Sequence, residues 1–130
     1  MRDERHFTLL VTSSAHQLCI WVRVRGASEM YGLIGKLIAV AGQRAALLAI
    51  LFDSVADMPG CLSYIIAKDP ADENALWVTE VWDSQASHHA SLSLPAVQQA
   101  IARARPLIAG FGEHIVTEPV GGYGLADTKS

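Results

Sequence analysis

The chain has 130 residues, of which 51% are hydrophobic and 18% charged, and its formal net charge is −3 at pH 7. This length is typical of one domain, which buries about two thirds of its unfolded surface. No basic run offers a surface for nucleic acid, and no apolar run reaches the roughly 18–20 residues that span a bilayer. The composition therefore argues against nucleic-acid and membrane partners and favours self-association, because a small domain this apolar has surface to cover.

The two cysteines, Cys19 and Cys61, lie in unrelated contexts and form neither a disulfide framework nor a metal motif. A reducing cytoplasm is the simplest setting for such a chain. Residues 1–29 contain strand-like pieces without a helical period, and Met30 directly precedes a clean strand. We predict that residues 1–29 form a peripheral extension upstream of a natural start at Met30; the alternative is an added edge strand made from Leu18–Val24.

The domain begins with a strand, a helix and a second strand. Tyr31–Val40 is apolar on both faces, which is unusual for a sheet with one wet side. Apolar residues at 3.6-residue spacing predict a helix over Gln43–Ala56, and Met58-Pro59-Gly60 is expected to end this helix. The second strand is Cys61–Lys68, and the polar turn Asp69–Asn74 leads into a third strand.

The third strand, Leu76–Trp82, is followed by a short helix over Gln85–Leu92 with Asp83 or Ser84 as its N-cap. The next pattern predicts a helix from Pro95. Its apolar stripe runs through Val97, Ile101, Ala104, Ile108 and Phe111, is kinked at Pro106 and ends at Gly110 and Gly112. The last predicted strand is His114–Pro119, and the Gly-rich residues 121–130 form a flexible tail.

The resulting order for residues 30–120 is β-α-β-β-α-β, which is the ferredoxin-like α+β arrangement of one antiparallel sheet under helices. The other face of that sheet would be wet in a monomer, yet its first two strands are apolar on both sides. We therefore predict that the open face packs against a second copy of the chain, as a homodimer.

Several motifs along this order resemble the antibiotic biosynthesis monooxygenase-like family, and most closely its quinol monooxygenase branch. They are MPGCLSY at the second strand, TEVWDS followed by a histidine, ASLxLPAV, ARARPLIA and EPVGG, and they cover roughly residues 30–125. The resemblance implies a dimeric α+β barrel, in which two sheets pack face to face and a ligand pocket lies between each sheet and its own helices. The family's strand-end tryptophan matches Trp82, its preceding acidic residue Glu80, and its short-helix histidine His88.

The resemblance implies a cofactor-independent monooxygenase that oxidises a quinol or polyphenol-like aromatic with O₂, without a metal. Haem-degrading members use an asparagine on the first strand, and Tyr31–Val40 has none. A deprotonated quinol can itself give an electron to O₂, so the protein must supply a dry pocket and a base near the phenol. His88 is the best base, since histidine titrates near neutral pH and His89 points about 100° away on the helix. The alternative is that both histidines are surface residues.

Glu80 shares a strand face with Val78 and Trp82, so its carboxylate either orients His88 or accepts a proton itself. The structural alternative is an ion pair with Arg103 or Arg105. We assign contacts with the substrate to four aromatic residues: Trp82, Tyr64, Phe52 and Phe111. Core packing is the alternative for Trp82, and a structural role for Tyr64.

Two other functional classes remain open. One is a non-catalytic small-molecule-binding or stress-response domain with the same pocket, and the other is an isomerase that uses His88 without O₂.

Overall fold

The computed structural model describes residues 29–126. The predicted peripheral extension over residues 1–29 lies outside this range except for Glu29, and the predicted flexible tail over residues 121–130 lies outside it from residue 127 onwards. The elements in order are β1 (Tyr31–Ala39), α1 (Arg44–Ser54), β2 (Cys61–Lys68), β3 (Ala75–Trp82), α2 (Gln85–Ser91), α3 (Pro95–Ala104), a 3-10 turn (Arg105–Leu107) and β4 (Ile108–Thr117). Ala126, the last described residue, donates its backbone N–H to Leu62 of β2 at 3.0 Å.

The four strands form one antiparallel sheet in the order β2-β3-β1-β4, which confirms the ferredoxin-like prediction. β1 and β3 lie at the centre, and their register places Tyr31 opposite Trp82 and Leu33 opposite Glu80. Because side chains alternate along a strand, these residues project from the same face of the sheet.

The helices cover that same face and enclose the core. α1 contributes Leu47 and Ile50, and α3 contributes Ala100 and Ala104, whose small side chains let the helix lie close to the sheet. Leu76 of β3 lies beneath them and is fully buried. Burying a leucine of this kind stabilises the fold by about 2 kcal/mol.

The prediction for the last helix and strand is wrong in its boundary. The apolar stripe from Val97 does not continue as a helix to Phe111, because α3 ends at Ala104 and β4 begins at Ile108. Pro106 lacks an N–H and clashes with the preceding turn, so the chain makes one 3-10 turn and then becomes extended. Gly110 and Gly112 therefore lie inside β4 rather than at a helix end.

The opposite face of the sheet, here called the outer face, carries no helix among the described residues. One row across all four strands consists of Ile65, Thr79, Ile34 and Ile115, in register. Ile65 is 57% exposed and Ile115 is 48% exposed. The outer face is thus an open apolar surface within residues 29–126.

No helix in the described part of the chain is both long and apolar enough to cross a membrane.

Candidate active site

A cavity of about 590 Å³ lies between the helix-covered face of the sheet and the three helices. This volume is within the range of small-molecule sites in proteins, and most of its wall is apolar, as is usual for such sites. The residues that line it are Leu37, Leu51, Ser54, Met58, Tyr64, Glu80, Trp82, His88, Ser91, Leu92, Val97, Ala100, Ile101, Ala104, Arg105, Ile108 and Phe111.

Glu80 and Trp82 are joined by a hydrogen bond within this wall. Their separation by two positions on β3 puts both side chains on the same face of the sheet. The indole Nε1–H of Trp82 donates to Oε1 of Glu80 at 2.8 Å. Trp82 is only 1% exposed, so its N–H needs a protein partner, and Glu80 provides one.

His88 approaches the same carboxylate from α2. Its Nε2 is 3.9 Å from Oε1 of Glu80, which is longer than a hydrogen bond. The imidazole ring packs edge-on against Trp82 and tilted against Tyr31, with a centroid distance of 5.4 Å in each case. His89 is exposed and does not line the cavity. Only one of the adjacent histidines therefore reaches the site.

The start of α2 is held in place by two local features. Ser84 is the N-cap, and its hydroxyl accepts the backbone N–H of Ser87 at 3.1 Å. Gly60 lies against this turn: a Cβ there would come within 2.6 Å of the Ser87 side chain, and its φ of +88° also favours glycine. The close contact at Gly60 fixes α2 against the sheet and thereby positions His88.

Tyr64 faces Glu80 directly across the β2–β3 pair. Burial raises the pKa of the Tyr64 phenol well above its ordinary value of 10.0, and the negative charge of Glu80 raises it further. The same two causes, burial first, raise the pKa of the Cys61 thiol, although a hydrogen bond with the Ser63 backbone opposes them. Tyr64 therefore remains a neutral hydroxyl beside the carboxylate.

The predicted ion pair of Glu80 with Arg103 or Arg105 is wrong, because neither arginine lies within ion-pair distance of Glu80 in the described residues. Arg103 lies 3.9 Å from Asp53 on the helix surface instead, and both side chains are largely exposed. Arg105 is exposed at the edge of the cavity, and no carboxylate in residues 29–126 lies within ion-pair distance of it. Glu80 has an aromatic N–H and an imidazole as neighbours rather than a guanidinium.

Of the two phenylalanines predicted to contact the substrate, Phe111 lines the cavity and Phe52 does not. Phe111 lines the cavity from β4 and is 73% exposed. Phe52 does not reach the cavity: it is 59% exposed on the outer side of α1, and its neighbour Leu51 lines the wall. The helix turns by about 100° per residue, so the stripe that buries Leu47 carries Leu51 inward and Phe52 away.

Sequence reasoning missed Tyr31 and Ser91. The partner of Trp82 in the β1–β3 register is Tyr31, so the strand pairing would have identified it. Ser91 is 5% exposed and its hydroxyl donates to the carbonyl of His88 at 2.6 Å, a contact with no sequence signal beyond helical spacing. Among residues 29–126, no three His, Cys, Asp or Glu side chains cluster closely enough to hold a metal ion.

The chain matches a family model and several solved structures. The model of the antibiotic biosynthesis monooxygenase family matches residues 30–103, which is more than half of the chain. An antibiotic biosynthesis monooxygenase-type protein from Chloroflexus aurantiacus J-10-fl is 63% identical, with a TM-score of 0.73, over 75% of this chain and 99% of that chain. No curated protein matches this chain significantly.

More distant structures share the fold. A protein of the same type from Caulobacter crescentus CB15 is 20% identical, with a TM-score of 0.62, over 73% of this chain and 92% of that one. A protein from Mycobacterium tuberculosis is 18% identical, with a TM-score of 0.62, over 72% of this chain and 98% of that one. The family model and the high identity to the Chloroflexus protein go further than the fold: the chain belongs to the antibiotic biosynthesis monooxygenase family.

Proposed function

We propose that the protein is a cofactor-independent monooxygenase that oxidises a quinol or polyphenol-like aromatic with O₂. The observation that carries this proposal is the convergence of Glu80, Trp82 and His88 on the wall of one largely apolar cavity. Titratable groups in an apolar pocket are the usual arrangement of an acid–base site.

His88 and Glu80 face each other at the wall of the cavity, with Nε2 and Oε1 3.9 Å apart. A phenolic hydroxyl has one proton to donate, and in the proposed reaction the imidazole of His88 takes it. The carboxylate of Glu80 then stabilises the imidazolium that forms beside it. Tyr64, which stays neutral, is available as a hydrogen-bond donor to the same ring system.

The proposed reaction needs only the substrate and O₂. The phenolate gives electrons to O₂, one oxygen atom bonds to a ring carbon that carried hydrogen, and the other oxygen leaves as water. The ring is oxidised to a quinone and the atoms balance without a further reductant. The apolar wall supports this chemistry because it keeps bulk water away from the reactive phenolate.

Oxygen uptake tests the proposal. With 1,4-dihydroxynaphthalene and no added flavin or metal, the wild-type protein should consume O₂ faster than the uncatalysed reaction. The His88→Gln variant should lose about 100-fold in kcat/KM, whereas His89→Gln, which changes the exposed neighbour, should be unaffected. Equal losses in both variants would reject His88 as the base, and product formation under nitrogen would assign an isomerase instead.

We further propose that the active form is a homodimer joined through the outer face. The row of Ile65, Ile34 and Ile115 is apolar and open within the described residues. Burying such a surface contributes a favourable free energy of about 25 cal/mol for each Å² of apolar area removed from water. A cytoplasmic location agrees with Cys61, which is a free thiol.

A further inference from the structure

The imidazole of His88 packs against two aromatic rings that come from different strands. Trp82 of β3 contacts it at a centroid distance of 5.4 Å and an interplanar angle of 71°, and Tyr31 of β1 contacts it at 5.4 Å and 39°. Tyr31 and Trp82 are partners in the β1–β3 register, so strand pairing brings both rings to the histidine.

The two rings differ in their relation to the cavity. In the described part of the chain, the cavity wall includes Trp82 and His88 but not Tyr31. Trp82 can therefore touch a bound molecule, whereas Tyr31 acts on that molecule only through the histidine. Trp82 also donates its indole N–H to Glu80, so a mutation of Trp82 changes several contacts at once. The contact of Tyr31 with the imidazole can be tested by itself.

The backbone of His88 is held without Tyr31. Its N–H donates to the carbonyl of Ser84 at 3.3 Å, and its own carbonyl accepts the hydroxyl of Ser91 at 2.6 Å. These bonds fix the Cα atom and leave the side-chain torsions free. Because the second torsion of a histidine has a broad energy minimum, the direction of Nε2 is set by what the ring contacts.

Together the two rings restrict that torsion more than either ring does alone. With both contacts in place, Nε2 of His88 faces Oε1 of Glu80 at 3.9 Å. If the Tyr31 ring were removed, the imidazole could turn away from the carboxylate into the space left behind. A base whose nitrogen points away from the cavity cannot take a proton from a molecule bound there.

The Tyr31 ring can also stabilise the imidazolium. When the imidazole takes the phenolic proton in the proposed reaction it becomes a cation, and the face of an aromatic ring attracts a cation within about 6 Å of its centroid. Tyr31 lies within that distance of His88. The attraction is much weaker before the proton is transferred, so it lowers the energy of the transition state more than that of the bound substrate.

We propose that Tyr31 is a positioning residue for His88: its ring directs Nε2 towards Glu80 and the cavity, and it stabilises the imidazolium that forms there. The inference rests on the proposed function for the role of His88 as the base, and it adds a residue that acts on the reaction through that base.

The kinetics of O₂ uptake with 1,4-dihydroxynaphthalene test this role. Tyr31→Leu removes the ring and keeps an apolar side chain, so kcat should fall about tenfold while KM stays within about twofold. Tyr31→Phe keeps the ring and should restore kcat to within about twofold of the wild-type value. Tyr123→Leu is the matched control, because it makes the same change at a fully exposed tyrosine, and it should alter neither parameter.

NMR measures the position of the imidazole without turnover. Nuclear Overhauser contacts between the ring protons of His88 and the indole protons of Trp82 should be present in the wild type and in Tyr31→Phe. In Tyr31→Leu they should be about threefold weaker, because the imidazole is free to turn. If Tyr31→Leu does not fold, Tyr31→Met provides the same comparison with an unbranched side chain.

A loss of kcat in Tyr31→Phe equal to that in Tyr31→Leu would overturn the inference. A rise in KM without a fall in kcat would also overturn it, since a residue that contacts the substrate behaves in that way. Unchanged Overhauser contacts in Tyr31→Leu would do the same. If the wild-type protein does not accelerate O₂ uptake, the monooxygenase proposal fails, and the Overhauser contacts alone decide whether Tyr31 directs the imidazole.

Discussion

The two tryptophans of β3 have similar hydrogen bonds on opposite faces of the sheet. Trp82 donates its indole N–H to Glu80 at 2.8 Å on the helix-covered face. Trp77 donates to Asp69 at 3.0 Å on the outer face, and Lys36 lies over its ring at 5.6 Å. Each bulky indole thus has a carboxylate partner, and the difference between the faces is in what else each carboxylate binds.

Asp69 has a complete set of structural partners. The backbone N–H of Ala71, the indole of Trp77 and the ammonium of Lys36 together lower the pKa of its carboxyl, with the Ala71 hydrogen bond as the largest cause. Glu80 accepts one hydrogen bond from Trp82 and has His88 at a longer distance; within residues 29–126 no donor reaches its Oε2 atom. Glu80 therefore has a carboxylate oxygen that can accept a hydrogen bond from a substrate in the cavity. The carboxylate oxygens of Asp69 already have protein partners, so Asp69 stabilises its turn instead.

Replacing each tryptophan by alanine should give the largest difference between the two faces of the sheet, measured as the free energy of unfolding. Trp82→Ala should lower the free energy of unfolding by about 3–5 kcal/mol, because it empties a position that is 1% exposed in the core. Trp77→Ala should cost less, since Trp77 is only partly buried in the described chain. Urea unfolding at one fixed protein concentration measures both. Equal losses would mean that the outer face is as well packed as the core.

Neutralising each carboxylate should separate function from structure. Glu80→Gln keeps an oxygen that can accept the indole N–H but removes the charge, so kcat/KM for quinol oxidation should fall about 100-fold. Asp69→Asn, the matched change on the outer face, should leave kcat/KM within about twofold. Oxygen uptake at saturating and limiting quinol measures both parameters. Similar losses in the two variants would contradict an active role for Glu80.

A charge on the outer face should weaken the proposed dimer. Ile65→Lys places a charge on each protomer within the apolar surface proposed as the interface, and it should raise the dissociation constant of that dimer tenfold or more. Phe52→Lys is the control, because Phe52 is 59% exposed and Ile65 57%, but Phe52 lies on α1. Sedimentation equilibrium of both variants distinguishes the faces; dissociation caused by Phe52→Lys alone would move the interface to the helices.

The smallest expected effect concerns alkaline pH. The folded state keeps the Tyr64 proton above the pH at which the unfolded state loses it, so the unfolded state binds fewer protons there. The stability that this group contributes is complete below about pH 10 and is lost as the pH rises further. Tyr64→Phe should therefore reduce the fall in unfolding free energy between about pH 9 and pH 11. An unchanged slope would show that the phenol ionises freely in the folded protein.

The sequence by itself determined most of the architecture and part of the site. Strand alternation was sufficient to put Glu80 and Trp82 on one face, and helical spacing was sufficient to direct His88 and His89 apart. Both results depend on local periodicity, which the residues carry without reference to the rest of the chain. The β-α-β-β-α-β order follows from the same patterns.

The tertiary structure decided everything that depends on distant parts of the chain. The boundary between α3 and β4 was set by Pro106 and by pairing with β1. Ile108 and Phe111 are three residues apart and still line one cavity because the β1–β4 register shifts between Ile38 and Ala39. Glu80 pairs with an indole and an imidazole because the arginines of α3 and its following turn lie elsewhere.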